Sequence, residues 1–185
     1  MKEKLQIFKD EKLNFKTTIS ILFLTMVICG IWGFVYETFF YRIDLGYFVK
    51  RGSTFGPWIP IYAVGSFFIV TLTYRLKNKP VLVFVFNCLI TGLLEYVTGM
   101  VLFEVWGLRL WDYNSEIWNW GNINGYVCTR SILCFGISSL LLVYVIVPAI
   151  IKLTKKVSER KFAIISYGLS GLFLLDIVLY AILKR

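Results

Sequence analysis

Apolar positions fall in five long runs, roughly Thr18–Phe40, Trp58–Tyr74, Val81–Phe103, Arg130–Ile151 and Phe162–Leu183. Most reach the ~20 residues a helix needs to cross the ~30 Å hydrocarbon core of a bilayer. The polar residues that interrupt them follow neither the two-residue period of a half-buried strand nor the broad polar face of a soluble helix. The pattern predicts an all-α integral membrane protein, a bundle of about five transmembrane helices. Two tight basic turns, RLKNKP and KLTKKVSERK, alternate with two long loops, which are expected on the outer side and partly re-entrant. The first long loop ends in Arg51-Gly-Ser-Thr-Phe-Gly56-Pro57-Trp-Ile-Pro60-Ile-Tyr62. Gly and Pro at this density prevent a regular helix until after Pro60. Irregular backbone at membrane depth is tolerated only where it is buried in protein or lines a cavity. The broken lead into the second run therefore reads as a cavity wall or as an ordinary surface turn.

The few polar positions inside the runs carry the chemistry. Glu95 lies in the third run, VLVFVFNCLITGLLEYVTGMVLF, with Asn87, Thr91 and Thr98 at helical steps of four and three on one face, and Gly92 and Gly99 beside it. A carboxylate there costs several kcal/mol unless it is partnered. Its expected partner is an arginine, Arg51 or Arg130, or a hydroxyl such as Tyr62. The same stripe also fits a helix–helix hydrogen-bond cluster with no chemistry. In the first run Cys29, Gly33 and Glu37 are spaced by fours, so Glu37 either faces inward or snorkels to the outer interface. The second long loop holds Trp106, Trp111, Trp118 and Trp120, four of the six tryptophans. Indole rings favour the headgroup level. Trp111-Asp112-Tyr113 with Asn122, Asn124 and Gly125 is more polar than an interfacial belt requires, and a lid or re-entrant turn over the acids is the other reading.

Composition narrows the function classes. The 185 residues are 58% hydrophobic and 18% aromatic with a formal charge of +9, and the cations flank the apolar runs. The charge is therefore read as membrane topology rather than as a nucleic-acid footprint; the lipid bilayer is the expected partner and nucleic acid is not. The absence of histidine removes Ser-His-Asp and Cys-His catalysis and His-ligated metals. The four cysteines form no CxxC and read as small packing residues. No P-loop is present, and no cofactor or metal is expected. Thirteen Lys and Arg flank one side of the predicted bundle and seven the other. The positive-inside rule then places the N-terminus in the cytoplasm and the C-terminus outside, in a bacterial plasma membrane. In this orientation Glu37, Glu95, Arg130 and Asp176 converge at one depth. The expected organisation is a cytoplasmic lead over 1–16, a four-helix membrane core over 17–151, and a basic turn with the fifth helix over 152–185. The first run is expected to be retained as an anchor rather than cleaved as a signal peptide.

Gly33-Phe-Val-Tyr36-Glu37, Arg51-Gly52 through Gly56-Pro57, Pro60-Ile-Tyr62, Leu94-Glu95-Tyr96, Trp111-Asp112-Tyr113 and Asn122-Ile-Asn124-Gly125 occur in that order. The ordered set resembles the ABC-transporter type IV, or CmpB-like, family of bacterial membrane proteins over roughly residues 30 to 150. The resemblance implies a small multi-spanning permease in which Glu37, Arg51, Glu95, Asp112 and Asn124 belong to the shared core. Relatives often carry an arginine just after the Asn-x-Gly motif or about a turn later; this chain has Tyr126 and Arg130. The candidate substrate-binding set is Glu37, Arg51, Tyr62, Glu95, Tyr96, Asp112, Tyr113, Asn122, Asn124 and Arg130. The functional expectation is a transport subunit for a small or lipid-like solute, completed by a second copy, a separate ATPase or another membrane subunit. The alternatives are an intramembrane enzyme acting on a lipid or lipid-linked substrate, which lacks an evident nucleophile, and a non-catalytic assembly subunit.

Overall fold

The computed structural model describes residues 7–8, 11 and 13–184, so most of the expected 1–16 lead lies outside the described residues. Five helices follow one another: α1 (Phe15–Leu45), α2 (Pro60–Thr73, prolonged by a 3₁₀ turn over Tyr74–Leu76), α3 (Pro80–Trp106), α4 (Thr129–Thr154) and α5 (Glu159–Leu183). Four are long and apolar enough to span a membrane, and α2 is a shorter apolar helix. The chain is an all-α, multi-pass membrane bundle of about five helices.

Local chemistry sets the helix ends. The Asn14 side chain accepts from the Thr17 N–H at 2.8 Å and caps α1. Gly46, at φ +81°, closes α1 in the left-handed region that a Cβ disfavours. Pro80 opens α3, where its missing N–H costs nothing, and Gly107 (φ +66°) ends it. Within α4 a π turn spans Leu142–Ile146 just ahead of Pro148. Proline clashes with the carbonyl four residues back, and a widened turn relieves that clash.

Helix α1 packs against α2 and α5, α2 against α3, and α3 against α4, while the C-terminal half of α4 returns to α1. The result is a ring of four helices with α5 outside it against α1. One end of the ring gathers the N-terminal segment and the two basic turns. The Phe8 ring meets Tyr74 edge-on at 4.9 Å, Asn14 donates to Glu159 at 3.1 Å, and Lys155 pairs with Glu11 at 3.0 Å. The interior of this half is apolar, centred on Ile21, Val70, Val83, Val143 and Val147. Both long loops and the polar residues occupy the other end.

Orientation in the bilayer is directly testable. By the Lys/Arg asymmetry, a cysteine at exposed Asn114 should react with an impermeant maleimide in intact cells, and one at Ser158 only after permeabilisation. The reverse pattern would invert the protein. The native thiols are buried or half-buried.

Candidate intramembrane site

Both long loops fold inward. The Ile59 N–H donates to the Gly30 carbonyl at 3.0 Å. Gly30 lies fifteen residues before Leu45, the last residue of α1, so the chain has descended ~22 Å beside α1 before α2 begins. Segment 107–128 descends likewise between α3 and α4. Its Tyr113 hydroxyl reaches Glu95, eleven residues before the end of α3, and a Cβ on Gly99 would meet Trp111 and Tyr126 at 3.0 and 3.2 Å. The cavity-wall reading of the first loop and the re-entrant reading of the second both describe this arrangement. Helices α2 and α4 thus begin part-way down the neighbours that precede them.

A chamber of about 50 Å³ lies above the start of α2, with room for a few waters. Its charged groups form a chain. Arg51 Nε donates to Glu37 Oε2 at 3.0 Å, and its guanidinium stacks 3.6 Å from the Tyr41 ring centre. The Tyr41 hydroxyl donates to Glu116, whose other oxygen accepts from Arg130 Nη2 at 2.6 Å. The Arg130 guanidinium lies 4.0 Å over the Phe40 ring and 5.4 Å from that of Tyr113. The Tyr113 hydroxyl donates to Glu95 Oε1, and the Ser131 hydroxyl lies 2.7 Å from Glu95 Oε2. Burial and the neighbouring carboxylate push the Tyr113 phenol well above its usual range, so it remains a donor. Burial also raises the Glu116 carboxyl, with Tyr41 and Arg130 pulling it back.

The carboxylates outnumber the guanidiniums, three to two. Glu37 and Glu116 each have an arginine; Glu95, 3% exposed, has hydroxyl partners instead. Of the expected partners of Glu95, an arginine or a hydroxyl such as Tyr62, it is hydroxyls that hold it, those of Tyr113 and Ser131 rather than Tyr62, because the two arginines are held by the other acids. Arg130 Nε is buried without an acceptor. The chamber therefore has a carboxylate able to take a proton or cation and an N–H able to take an acceptor.

Of the residues singled out from the sequence, Glu37, Arg51, Tyr62, Glu95, Tyr113 and Arg130 line the chamber. Tyr96, Asp112, Asn122 and Asn124 do not; the last three build the loop that covers it, and Tyr96 packs against that loop from α3. Tyr96 packs edge-on against Tyr126 at 5.7 Å. Asp112 accepts from the Asn114 N–H at 3.0 Å and pairs with Arg109 at 3.4 Å. The Asn122 side chain bridges Asn114 and the Gly125 N–H, and Asn124, at φ +55°, offers its carbonyl to Arg109 at 2.7 Å.

Asp176 also does something other than join the acids. Its carboxylate accepts from the Phe55 and Gly56 N–H groups at 2.9 and 2.8 Å and from the Trp58 indole. It fastens the descending first loop to α5. Asp176→Asn replaces one acceptor oxygen with a donor facing N–H groups, so it should loosen that loop. Trypsin should cut the variant at Lys50 or Arg51 several-fold faster than the parent, and equal rates would remove this role.

Glu116, Tyr41 and Ser131 carry signals that pattern reading passes over. A buried arginine requires an acid, and Glu116 lies fourteen residues before Arg130 in the loop most rich in tryptophan. Ser131 stands three residues after the helix-capping Cys128, where its hydroxyl accepts from the Cys128 N–H.

The sequence model of the family described as Putative ABC-transporter type IV matches residues 8–181. The chain belongs to that family. The match extends well past the stretch of roughly 30 to 150 that carries the motifs, so the family's membrane unit includes α5 and Asp176 as well as the four-helix ring. No curated protein and no solved structure gives a match.

Proposed function

We propose that this ABC-transporter-related membrane protein is a transport subunit. In this reading its chamber binds a proton or small cation at Glu95, and the neighbouring arginines hold any acceptor atoms the solute carries. The observation that carries the reading is the surplus carboxylate: Glu95 is buried and held by two hydroxyls, while both guanidiniums are committed to other acids. Intramembrane carboxylates that face a bundle interior commonly mark ion or proton paths.

A second cavity of about 40 Å³ lies beyond the chamber; its wall is mostly apolar, because the Thr91, Ser66 and Ser139 hydroxyls beside it donate to main-chain carbonyls. Tyr62, Phe135 and Ser138 border both spaces. The two rings stand 5.0 Å apart. Asn87, one helical turn beyond Thr91, is fully buried with neither amide atom partnered. Glu95, Thr91 and Asn87 share one face of α3, and the Tyr62 and Phe135 rings stand in the wall common to the two cavities. Phe135→Ala should join the cavities and raise passive cation leak through proteoliposomes several-fold; an unchanged leak would show that these rings close nothing.

The chamber is proposed to open outward from a bacterial plasma membrane. A separate ATPase, or a second copy of the chain, would supply the coupling for which no cytoplasmic turn here is long enough. Binding is testable without a partner, because Trp111 lines the chamber. Titration with Li⁺, Na⁺, K⁺ and Mg²⁺ across pH 5–9 should give a saturable tryptophan-fluorescence change that is absent in Glu95→Gln. A flat response to every cation and to pH would overturn the reading.

One contact favours the intramembrane-enzyme alternative: Ser131 Oγ at 2.7 Å from Glu95 is a hydroxyl beside a potential base. Ser131→Ala separates the two. It should retain cation binding if the chamber transports, and lose all activity toward a lipid-linked substrate if Ser131 is a nucleophile.

A further inference from the structure

A larger space lies outside the chamber, beside the start of α2. It is a groove of about 500 Å³ between α2, α3 and α5. Its floor and walls are mostly apolar, with Leu94 and Leu102 from α3, Val64 from α2 and Ile177 from α5. Its polar end is made by Lys50, Arg51 and Ser53 of the first loop. Lys50 Nζ lies 5.7 and 5.9 Å from the ring centres of Phe55 and Tyr180, a position that leaves the ammonium exposed at the rim. Arg51 spends its Nε on Glu37, on the chamber side.

Two independent properties identify the occupant. The first is shape and polarity: a long apolar slot flanked by membrane-facing helices with exposed Val64, Phe67, Phe68, Leu93 and Val97 lies open to acyl chains rather than to water. The second is charge and depth. Counting ~20 residues, or ~30 Å, along α1 from Thr18 reaches Glu37, and Arg51 is bonded to Glu37. The cationic rim therefore sits where the hydrocarbon core gives way to the headgroups, the level of a phospholipid phosphate.

We propose that this groove is a binding site for one anionic phospholipid, with an acyl chain along Leu94, Leu102 and Ile177 and the phosphate between Lys50 and the Ser53 hydroxyl. The site stands apart from the chamber and does not depend on its transport role. Because the groove and the chamber share Glu37, Arg51, Ile61 and Trp111 as a common wall, a lipid in this position packs against the residues that hold Arg51 in place.

The test uses the full-length protein in neutral detergent, with native mass spectrometry after addition of dioleoyl phosphatidylglycerol, dioleoyl phosphatidylcholine, glycerol 3-phosphate or inorganic phosphate. One phosphatidylglycerol should be retained per chain, with phosphatidylcholine held at least fivefold more weakly. The two soluble phosphates, which lack a chain, should not be retained. Lys50→Gln should weaken phosphatidylglycerol about fivefold, the contribution of one basic residue near a membrane surface, with phosphatidylcholine unchanged. Thr98→Trp fills the groove without altering charge and should abolish retention of both lipids. Leu102→Trp does the same from the next turn of α3 and serves if Thr98→Trp does not fold. Equal retention of the two lipids, indifference to Lys50→Gln, or full retention in a folded groove-filling variant would overturn the proposal. Retention of free phosphate at the same strength would reduce the site to an anion patch and overturn it as well.

Discussion

Arg130→Met should lower the melting temperature of the purified protein by on the order of 10 °C. Removing one member of a buried ion pair leaves the other charge without compensation, typically about 3–5 kcal/mol, and a domain of this size loses roughly 2–4 °C per kcal/mol. The side chains of Arg130 and Glu116 are 8% and 5% exposed, and their oxygen and nitrogen are 2.6 Å apart. Tyr41 would be the remaining polar partner of Glu116. The double variant Arg130→Met, Glu116→Leu should recover most of the loss, because replacing both charges removes the desolvation cost together with the attraction. If the double variant melts below the single one, the arginine is held by packing on Phe40 rather than by its charge.

Glu95→Gln should abolish proton or cation flux in proteoliposomes, by at least a hundredfold, while shifting the melt by no more than about 2 °C. The amide keeps the volume, still accepts from Tyr113, and offers an N–H to Ser131, so both hydrogen bonds survive. What disappears is the charge and the ability to exchange a proton. Glu37→Gln is also expected to abolish flux, but it is a less clean variant because it leaves the Arg51 charge uncompensated and should lower the melt as well. Flux preserved in Glu95→Gln, with a melt lowered by many degrees, would make the carboxylate a packing device and end the transport reading of this chamber.

These two residues show how far sequence reading reaches. Apolar run length sufficed for five helices, since backbone satisfaction in lipid leaves the chain few choices, and Glu95 stood out because nothing else in its run is acidic. Pairing was not legible in the same way. The sequence leaves an arginine and a hydroxyl both open as the partner of Glu95, and which acid holds Arg130 depends on how segment 107–128 folds back, which no periodicity encodes. Asp112, Asn122 and Asn124 are as polar as the chamber residues and equally prominent in the motif order, yet the side chains of the first two close turns and Asn124 contributes its main-chain carbonyl. Pattern alone does not separate a polar group that shapes a loop from one that faces a cavity. Asp176 was placed among the acids by depth along its helix, but α5 lies outside the ring, and its carboxylate turns to the loop between α1 and α2.

The part-way start of α2 and α4 has an electrostatic consequence. A helix N-terminus carries the equivalent of about half a positive charge, and both of these termini open onto the chamber, with Ile61, Tyr62, Arg130 and Ser131 of their first turns in its wall. Two such half-charges offset roughly the one carboxylate that lacks an arginine. The two termini therefore lower the cost of burying negative charge at Glu95. A substitution that shortens or frays either first turn should weaken the hold on Glu95 even though it touches no charged side chain.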